Sequence, residues 1–512
     1  MSTQDVALKP RSLLVRNVHL PATSRGDALY DVYCKDGKVH SVSKSSPACS
    51  PLARVLRRGL GYFLTPEIDA EGKGLLLPSL CHAHIHIDKC FLLDQCGKLE
   101  SGTFQEALAL TTRAKAQFPE HLDDVYARGR RLIVDSLASG VTAMRAHVEV
   151  DTAVQLACLD VALRLKAEFA AYCDIQISAF AQDPLFESPD AAEPGANYAL
   201  LRTAARTPGV ACVGSAPYVE RTPAQAAQNI ALLVALARAH DLHADFHLDY
   251  NIDAASAPLV YVLLQELRAR GWPVPEDAKV PGQHTRMVTI GHGTRYTLFD
   301  GTQWDALRAA IGALPVAFVA LPQSDMYMMG KGGGGGGDGR DGAQLPPRAT
   351  LPVPYMASRG LRVALSVNNV DNAFTPQGSV DPMGLCPLGV AVYQDAGEEA
   401  CRVLLAAVSS GARRAVGLTS NDEGRESELE IKPGDQADFV LLHDNPSARS
   451  AVLDPCYTRS TIRAGRVIAT RRGARWACFD TRPAAAWEEG RLVMLCAGVA
   501  SAVVAGWVFA RR

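Results

Sequence analysis

The stretch Leu75-Leu-Leu-Pro-Ser-Leu-Cys-His-Ala-His-Ile-His-Ile-Asp-Lys89 decides the fold. It opens as an apolar run, Leu75 to Leu77, passes through Pro78 and Leu80, and ends in alternating histidines at His82, His84 and His86. In an extended strand, side chains two apart share a face. An extended His84-Ile85-His86 therefore directs two imidazoles to one point, the beginning of a divalent-metal site. Histidines that merely fill a strand are the ordinary alternative, and further histidines at later strand ends count against it.

Outward from this stretch, both ends of the chain read as β-structure. Ser12–Leu20 reads as a strand, and Asp31–Val42 as a hairpin with Asp36-Gly37 as its tight turn. Near the other end, Ala437–Leu442 and Tyr457–Ala469, the latter turning at Ala464-Gly465, supply the partners such a small sheet needs. The two β-rich ends are expected to form one composite β-sandwich domain. Between them strands and helices alternate. A helix over Asp123–Ser139 stops at Gly140, and strands follow over Val141–Val150 and Gln176–Ala181. Thr222-Pro223-Ala224-Gln225 caps a helix running to about Ala239, and Ala244–Asp249 is the next strand. A helix near Ala257–Arg270 leads to strands over Met287–His292, Val316–Leu321 and Leu361–Val367. This alternation predicts an α/β fold with a parallel sheet closed into a (β/α)8 barrel. The expected division is 1–75 and 412–475 for the composite β domain, 76–411 for the barrel, 476–491 for a linker and 492–510 for a hydrophobic tail helix.

Composition sets outer limits. The chain has 512 residues, 48% hydrophobic and 21% charged, which suits a barrel with a smaller domain. A net charge of −2 gives no electrostatic case for nucleic acid as a partner. Thirteen cysteines without a Cys-x-x-Cys pair, and no secretory signal over Met1–Leu20, suggest a reduced, cytoplasmic protein. Leu492–Ala510 is uncharged and flanked by Arg491 and Arg511. It approaches the roughly 20 residues a helix needs to cross a bilayer, with Trp507 at an interfacial position. It reads either as a membrane tail anchor or as a buried C-terminal helix. Six glycines over Gly332–Gly337 lack the Gly-Lys-Ser/Thr of a phosphate loop and read as a loop insertion.

The chemistry of a (β/α)8 barrel sits at the C-terminal ends of its strands. His84 and His86 end the first predicted strand, His247 ends the Ala244–Phe246 strand, and His292 ends the Met287–Gly291 strand. These motifs, from about residue 10 to 475, resemble the amidohydrolase superfamily and its cytosine deaminase branch in particular. Besides Leu77-Pro78 and His84–Asp88, the resemblance rests on Val141–Val150 with its Arg-x-His-Val-Glu-Val, on Phe180-Ala-Gln182, on Leu321-Pro-Gln-Ser-Asp325 and on Asn368-Asn369-Val370.

The resemblance implies one divalent ion, Zn or Fe, with His84, His86 and His247 as ligands. It places His292 against the ion's water or the substrate, and Gln182 against the substrate. Two positions depart from the family. Tyr250 stands where the family has a proton-shuttling glutamate, and Asn368 where it has a metal-binding aspartate. An all-imidazole site with a neutral amide leaves the ion's charge uncompensated, and proton transfer worth roughly 10²–10⁴ in rate loses its groups. Asp249, two from His247, and Glu149, two from His147, are the candidate replacements, with outer support of a ligand histidine as their equal alternative. Asp371 is a further acid near Asn368.

The leading expectation is a metal-dependent hydrolase of a non-peptide C–N bond in a cyclic, nitrogen-rich small molecule, with His292, Asp249 and Glu149 as catalytic groups, Gln182 and Tyr250 against substrate, and Asn368 in the metal set. A small molecule is the expected partner, with self-association of the barrel also allowed. The alternative is a barrel that has lost catalysis and serves as a membrane-anchored binding or scaffold protein.

Overall fold

The computed structural model describes residues 12–21, 28–45, 65–274, 286–329, 349–418 and 429–473. Four short strands come first: β1 (Leu13–Val18), β2 (Tyr30–Lys35), β3 (Lys38–Lys44) and β4 (Glu67–Asp69). They form one sheet in the order β3-β2-β1-β4. Asp36 and Gly37 turn β2 into β3 with φ of 52° and 79°, the left-handed pair a type I′ hairpin requires. The deciding stretch then divides at Ser79 into β5 (Leu75–Pro78) and β6 (Leu80–His86).

β6 opens an eight-stranded parallel sheet. It continues through β7 (Val141–Glu149), β8 (Asp174–Ala181), β9 (Val210–Ser215), β10 (His243–Leu248), β11 (Val288–His292), β12 (Val316–Ala320) and β13 (Arg362–Leu365), in sequence order. The seam between β13 and β6 is joined just past β13. Asn368 N–H donates to the His84 carbonyl at 3.2 Å, and His86 N–H donates to the Asn368 carbonyl at 2.9 Å. Ser366 Oγ adds a clasp, donating to the His84 carbonyl at 2.6 Å and accepting from its N–H at 3.0 Å. The expected (β/α)8 barrel is thus nearly closed. The sequence reading missed β9, whose Val-Ala-Cys-Val-Gly-Ser is short and weakly apolar.

The last strands, β14 (Phe439–Leu442), β15 (Arg459–Arg463) and β16 (Arg466–Arg471), return to β5 in the order β16-β15-β14-β5. β5 alternates between two cores. Leu76 joins Val15, Val32, Phe439 and Ile462 between the two small sheets, whereas Leu75 and Leu77 join the main barrel core. The composite β unit therefore shares a strand segment with the barrel's first element, which fixes where β6 begins. Helix Ser410–Ala415, which spans the expected 411/412 boundary, packs Ala412 and Ala415 with Cys81, Ala83, Ala143 and Ala364 at the barrel floor.

β6 contains a register shift against β7 between His82 and Ile85, with three residues opposite two. Such a bulge reverses the alternation of faces. His82 accordingly leaves the face of His84, and its Nε2 meets Ser136 Oγ at 3.1 Å on the covering helix Leu122–Ala138. The simple i, i+2 expectation for all three histidines fails at this point. It holds for His84 and His86.

The chain divides into two compact units, Met1–Arg471 and Arg472–Arg512. Beyond residue 473 the second unit lies outside the described residues, and with it the expected linker 476–491 and tail helix 492–510. The six-glycine run also lies outside them. Among the described residues no helix is long and apolar enough to cross a membrane.

Candidate metal centre and active site

The barrel interior holds a polar layer below its mouth. Arg145 on β7 is fully buried, and its guanidinium reaches Gln176 Oε1 at 2.6 Å, Thr289 Oγ1 at 2.6 Å, Asp245 Oδ2 at 3.2 Å and the Val416 carbonyl at 3.1 Å. A buried guanidinium is tolerable only with such full pairing. The layer above is built of imidazoles. The His84 ring lies 4.0 Å from that of His147, 4.5 Å from His247, 5.3 Å from His86 and 5.9 Å from His292, centroid to centroid.

Gly291 makes this crowding possible. A Cβ there would stand 2.9 Å from His84 Cε1 and 3.0 Å from its Nδ1. Phe180 packs on His247 at 4.1 Å from the other side.

Burial first holds His84, His86 and His247 well below the usual histidine pKa; the neighbouring imidazoles add to it, preceded at His86 by the Lys89 charge. These rings are neutral, the form that ligates metal. Among the described residues, both ring nitrogens of His84, Nδ1 of His147, Nε2 of His247, Nδ1 of His86 and Oδ1 of Asn368 are buried without a hydrogen-bond partner, while His147 Nε2 faces Asp245 Oδ1 at 3.1 Å. Each such group costs about 1–3 kcal/mol if nothing meets it, so their concentration in one place fits an ion. Ligand atoms of His84, His147, Asp245 and His247 all lie within 4.8 Å of one another.

The remaining predicted residues divide in two. His292, Gln182, Tyr250 and Asn368 line one small cavity with His86, His247 and Lys89. His292 Nδ1 is 2.7 Å from Asp325 Oδ1, and Tyr250 stacks on the His292 ring at 3.9 Å. Asp325 is further held by the Leu321 N–H at 3.1 Å and Thr350 Oγ1 at 3.2 Å. Gln182 Nε2 reaches Tyr218 Oη at 3.4 Å, and Asn368 Nδ2 donates to Ser324 Oγ at 2.8 Å. Burial pushes the Tyr250 hydroxyl well above the usual tyrosine range, so it stays protonated.

Asp249 and Glu149 are engaged elsewhere. β10 ends at Leu248, and Asp249 adopts φ 51°, which breaks the alternation that would have put it beside His247. Its oxygens accept from the Leu259 N–H at 2.8 Å, the Val260 N–H at 3.1 Å and the Tyr296 hydroxyl. Glu149 accepts from Lys89 at 2.7 Å and Lys115 at 3.0 Å, one lysine on each oxygen. Burial alone would raise its pKa, but Lys115 and Lys89 outweigh it and hold the group at about 2. Lys89 is thus paired with a carboxylate, and Asp88 accepts the Glu149 N–H at 2.7 Å. Asp371 offers its backbone carbonyl to the Leu92 and Leu93 N–H groups at 2.8 and 2.9 Å.

His292 and Asn368 adopt φ of 68° and 67°. At His292 this conformation costs about 1–2 kcal/mol, whereas asparagine adopts it readily.

Three neighbours of importance had no role assigned from the sequence: Lys115, Asp245 and Asp325, the last of which entered only as part of the Leu321–Asp325 motif. Asp245 was the most accessible, since alternation along β10 puts it on the face of His247.

No family model matches the chain. It is 21% identical over 470 residues to the N-isopropylammelide isopropyl amidohydrolase of Pseudomonas sp. (strain ADP), covering 90% of this chain and 98% of that one. Among solved structures it is similar to 5-methylcytosine deaminase from Klebsiella pneumoniae liganded with phosphonocytosine, at 23% identity and a TM-score of 0.72, over 91% of this chain and all of that one. It is also similar to N-isopropylammelide isopropylaminohydrolase from Burkholderia multivorans, at 22% identity and a TM-score of 0.66, over 90% and 99% of the two chains. An adenosine deaminase from Xanthomonas campestris with bound zinc matches with a TM-score of 0.57 at 16% identity, over 94% and 98%. With its barrel, its composite β unit and its histidines at the strand ends, the chain has the fold of the amidohydrolase superfamily.

Proposed function

We propose that the chain is a divalent-metal-dependent hydrolase that cleaves a non-peptide C–N bond in a small, planar, nitrogen-rich molecule. The observation that carries this reading is the gathering of neutral imidazoles with unpaired ring nitrogens beside a cavity at the C-terminal end of the barrel. His84 and His247 are at the centre of the set that would hold the ion, and zinc or iron suits such donors. When bound, a divalent ion supplies Lewis acidity and lowers the pKa of water toward ~7.

The residues around the cavity divide the remaining work. Asp325 fixes the His292 ring through Nδ1, so its Nε2 is the atom left to exchange a proton with substrate. Tyr250 stacks on that ring and keeps its own proton, so it positions rather than shuttles. Gln182 and Asn369 offer amides, and Lys89 a cation, to the polar edge of a substrate. Phe104, Tyr218 and Phe374 supply flat apolar walls, which suit a ring and exclude water. Glu149 and Asp249 act through the groups they hold, Glu149 through Lys89 and Asp249 through the β10–β11 side of the mouth. The names of the similar proteins, a methylcytosine deaminase and isopropylammelide hydrolases, support a ring bearing an exocyclic amine.

The test is release of ammonia or isopropylamine from cytosine, 5-methylcytosine and N-isopropylammelide by purified protein whose metal content is measured, with His84→Ala as control. Release that depends on His84 supports the reading. A metal-replete protein inert across the panel favours the catalytically impaired barrel, which Tyr250 and Asn368 would then explain.

A further inference from the structure

A second cavity shares no lining residue with the one at the barrel mouth. Its volume is about 580 Å³, against about 20 Å³ at the mouth. That is within the roughly 300–1,000 Å³ that small-molecule sites occupy. Helices Val353–Ser358, Leu385–Tyr393 and Glu398–Ala407 build it, with the turn Thr294–Leu298 that follows β11. We propose that this cavity binds a small organic cation, an ammonium on an apolar body, and that its occupation is transmitted through Thr350 and Asp325 to His292. The binding site stands apart from the proposed function; only its effect on hydrolysis rests on that reading.

The lining sets the ligand's chemistry. Prolines, alanines and valines, Val403 among them, make most of the wall, and Tyr355 and Tyr393 add two phenol rings. Asp395 and Glu399 bring the charge, and among the described residues no lysine, arginine or histidine lines the cavity. The nearest cations are otherwise engaged or weakly held. Arg359 pairs with Asp305, and Arg402 stands 3.7 Å from both Glu398 and Glu399, where those carboxylates are exposed. Such exposed pairs are worth at most about 1 kcal/mol. Asp395 Oδ1 accepts the Gly397 N–H at 2.8 Å. Two carboxylates and two aromatic rings around an apolar hollow favour a cation with an apolar body over a neutral or anionic molecule of the same shape.

Thr350 joins this cavity to the active site. It lines the cavity, and its Oγ1 donates to Asp325 Oδ2 at 3.2 Å, while Asp325 Oδ1 holds His292 Nδ1 at 2.7 Å. Two hydrogen bonds therefore separate the cavity wall from the ring that faces the other cavity. Tyr393 is the adjustable part. It lines the cavity, and its hydroxyl is buried without a well-formed hydrogen bond, with Thr350 and the Val353 backbone as polar neighbours. Burial first, then the Asp325 charge among its neighbours, push this hydroxyl above the usual tyrosine range, so it keeps a proton to donate. A ligand packed on the Tyr393 ring would press the hydroxyl onto Thr350 Oγ1. A hydroxyl that accepts one hydrogen bond donates the next more strongly. Thr350 would then draw more of the Asp325 charge to Oδ2 and loosen the hold of Oδ1 on His292.

The experiment is calorimetric titration of full-length, metal-loaded protein with tryptamine, and with tryptophol and indole-3-propionate as neutral and anionic molecules of like shape. Expected is one tryptamine per chain with a Kd of about 1 mM or tighter, and binding about three- to tenfold weaker for tryptophol and weaker still for indole-3-propionate. Val403→Trp, which fills the cavity, should abolish binding. The double variant Asp395→Asn, Glu399→Gln should reduce tryptamine to the affinity of tryptophol. Both its positions are exposed, so it carries the test if Val403→Trp fails to fold. Saturating tryptamine should lower kcat/KM for the best substrate of the panel about fivefold or more. Thr350→Val should bind tryptamine as the wild type does, without that response. Tryptophol bound as tightly as tryptamine, or tryptamine binding that survives in both variants, overturns the cation site. A response as large in Thr350→Val as in the wild type overturns the link to His292. Active protein that binds no tryptamine overturns this inference and leaves the proposed function standing. Protein that binds it as expected but hydrolyses nothing supports the site and counts against the proposed function.

Discussion

Replacing Lys115 with methionine isolates the electrostatic clamp beside the site. Lys115 ends helix Phe104–Lys115, and its ammonium is buried against three carboxylates: Asp151 at 2.6 Å, Asp183 at 2.9 Å and Glu149 at 3.0 Å. Lys89 is the other cation on Glu149, at 2.7 Å. Methionine preserves much of the stem's packing and removes the charge. Removing one partner of a buried ion pair costs about 3–5 kcal/mol, because the other charge is left uncompensated. The expected loss at pH 7 is in that range, read as a lower urea midpoint and a lower melting temperature. The pH dependence gives the reasoning its sharper edge. In the wild type, Glu149 titrates at about 2, below its ordinary 4.5. The stability this contributes is present above about pH 4.5 and is lost as pH falls through about 2. In the variant, burial is opposed by one cation instead of two, so Glu149 takes up a proton at higher pH and sheds its penalty. The gap between wild type and Lys115→Met should therefore narrow from pH 7 to pH 5. A loss under about 1 kcal/mol at pH 7, or a gap independent of pH, would refute the clamp and leave only lost packing. The helix's other end carries Phe104 over the cavity, 5.7 Å from both Tyr250 and Phe374, so the variant should also raise KM.

Asp325→Asn keeps the shape but removes the charge that orients His292; kcat/KM should fall by about 10²–10⁴, with thermal unfolding little changed. Gly291→Ala sets a methyl group 2.9–3.0 Å from the His84 ring. The ring must turn or shift, and chelator competition should show metal held at least about tenfold more weakly, or ~1.4 kcal/mol. Asp249→Asn weakens the acceptor for Leu259, Val260 and Tyr296, so it should cost about 1–3 kcal/mol of stability while leaving metal content at the wild-type level.

What was legible in the sequence was governed by local rules. Hairpin turns at Asp36-Gly37 and Ala464-Gly465 stand out because left-handed backbone favours few residues, and both occur. The Thr222 cap is equally local, and Thr222 Oγ1 accepts the Gln225 N–H at 3.2 Å. Strand ends bearing histidine were legible because alternation and barrel polarity together fix where such rings gather. What failed depended on single residues of register. The bulge in β6 moved His82 to the outer face, and the left-handed turn at Asp249 moved that carboxylate from the metal side to a helix start. Neither event has a glycine or proline to announce it. Asp325 and Lys115 were hidden for another reason. Their partners lie 33 to 68 residues away, and no pattern along one strand or helix reveals a contact of that kind.

Tyr250 and Asn368, the two positions at which the chain departs from the pattern it resembles, fit a redistribution of negative charge around the cavity. They put uncharged groups at the mouth where the resemblance implies two carboxylates. A tyrosine that stays protonated and an amide that is always neutral make the cavity wall less anionic, and Lys89 adds a cation there that Glu149 only partly offsets. Carboxylates remain, but behind the rings: Asp325 behind His292, Asp245 beneath His84 and His247, Glu149 behind Lys89. Each acts on the cavity through an imidazole or an ammonium rather than facing it. Such a wall favours a substrate with acceptor atoms or partial negative charge at its edge, such as ring carbonyls, over a cationic one, because a cation would meet no bare carboxylate among the residues that line it. A series of ring compounds matched in size and differing in protonation at neutral pH tests the point directly: neutral or anionic members should be bound in preference, and tighter binding of the cationic members would show that the buried carboxylates still dominate the field at the mouth.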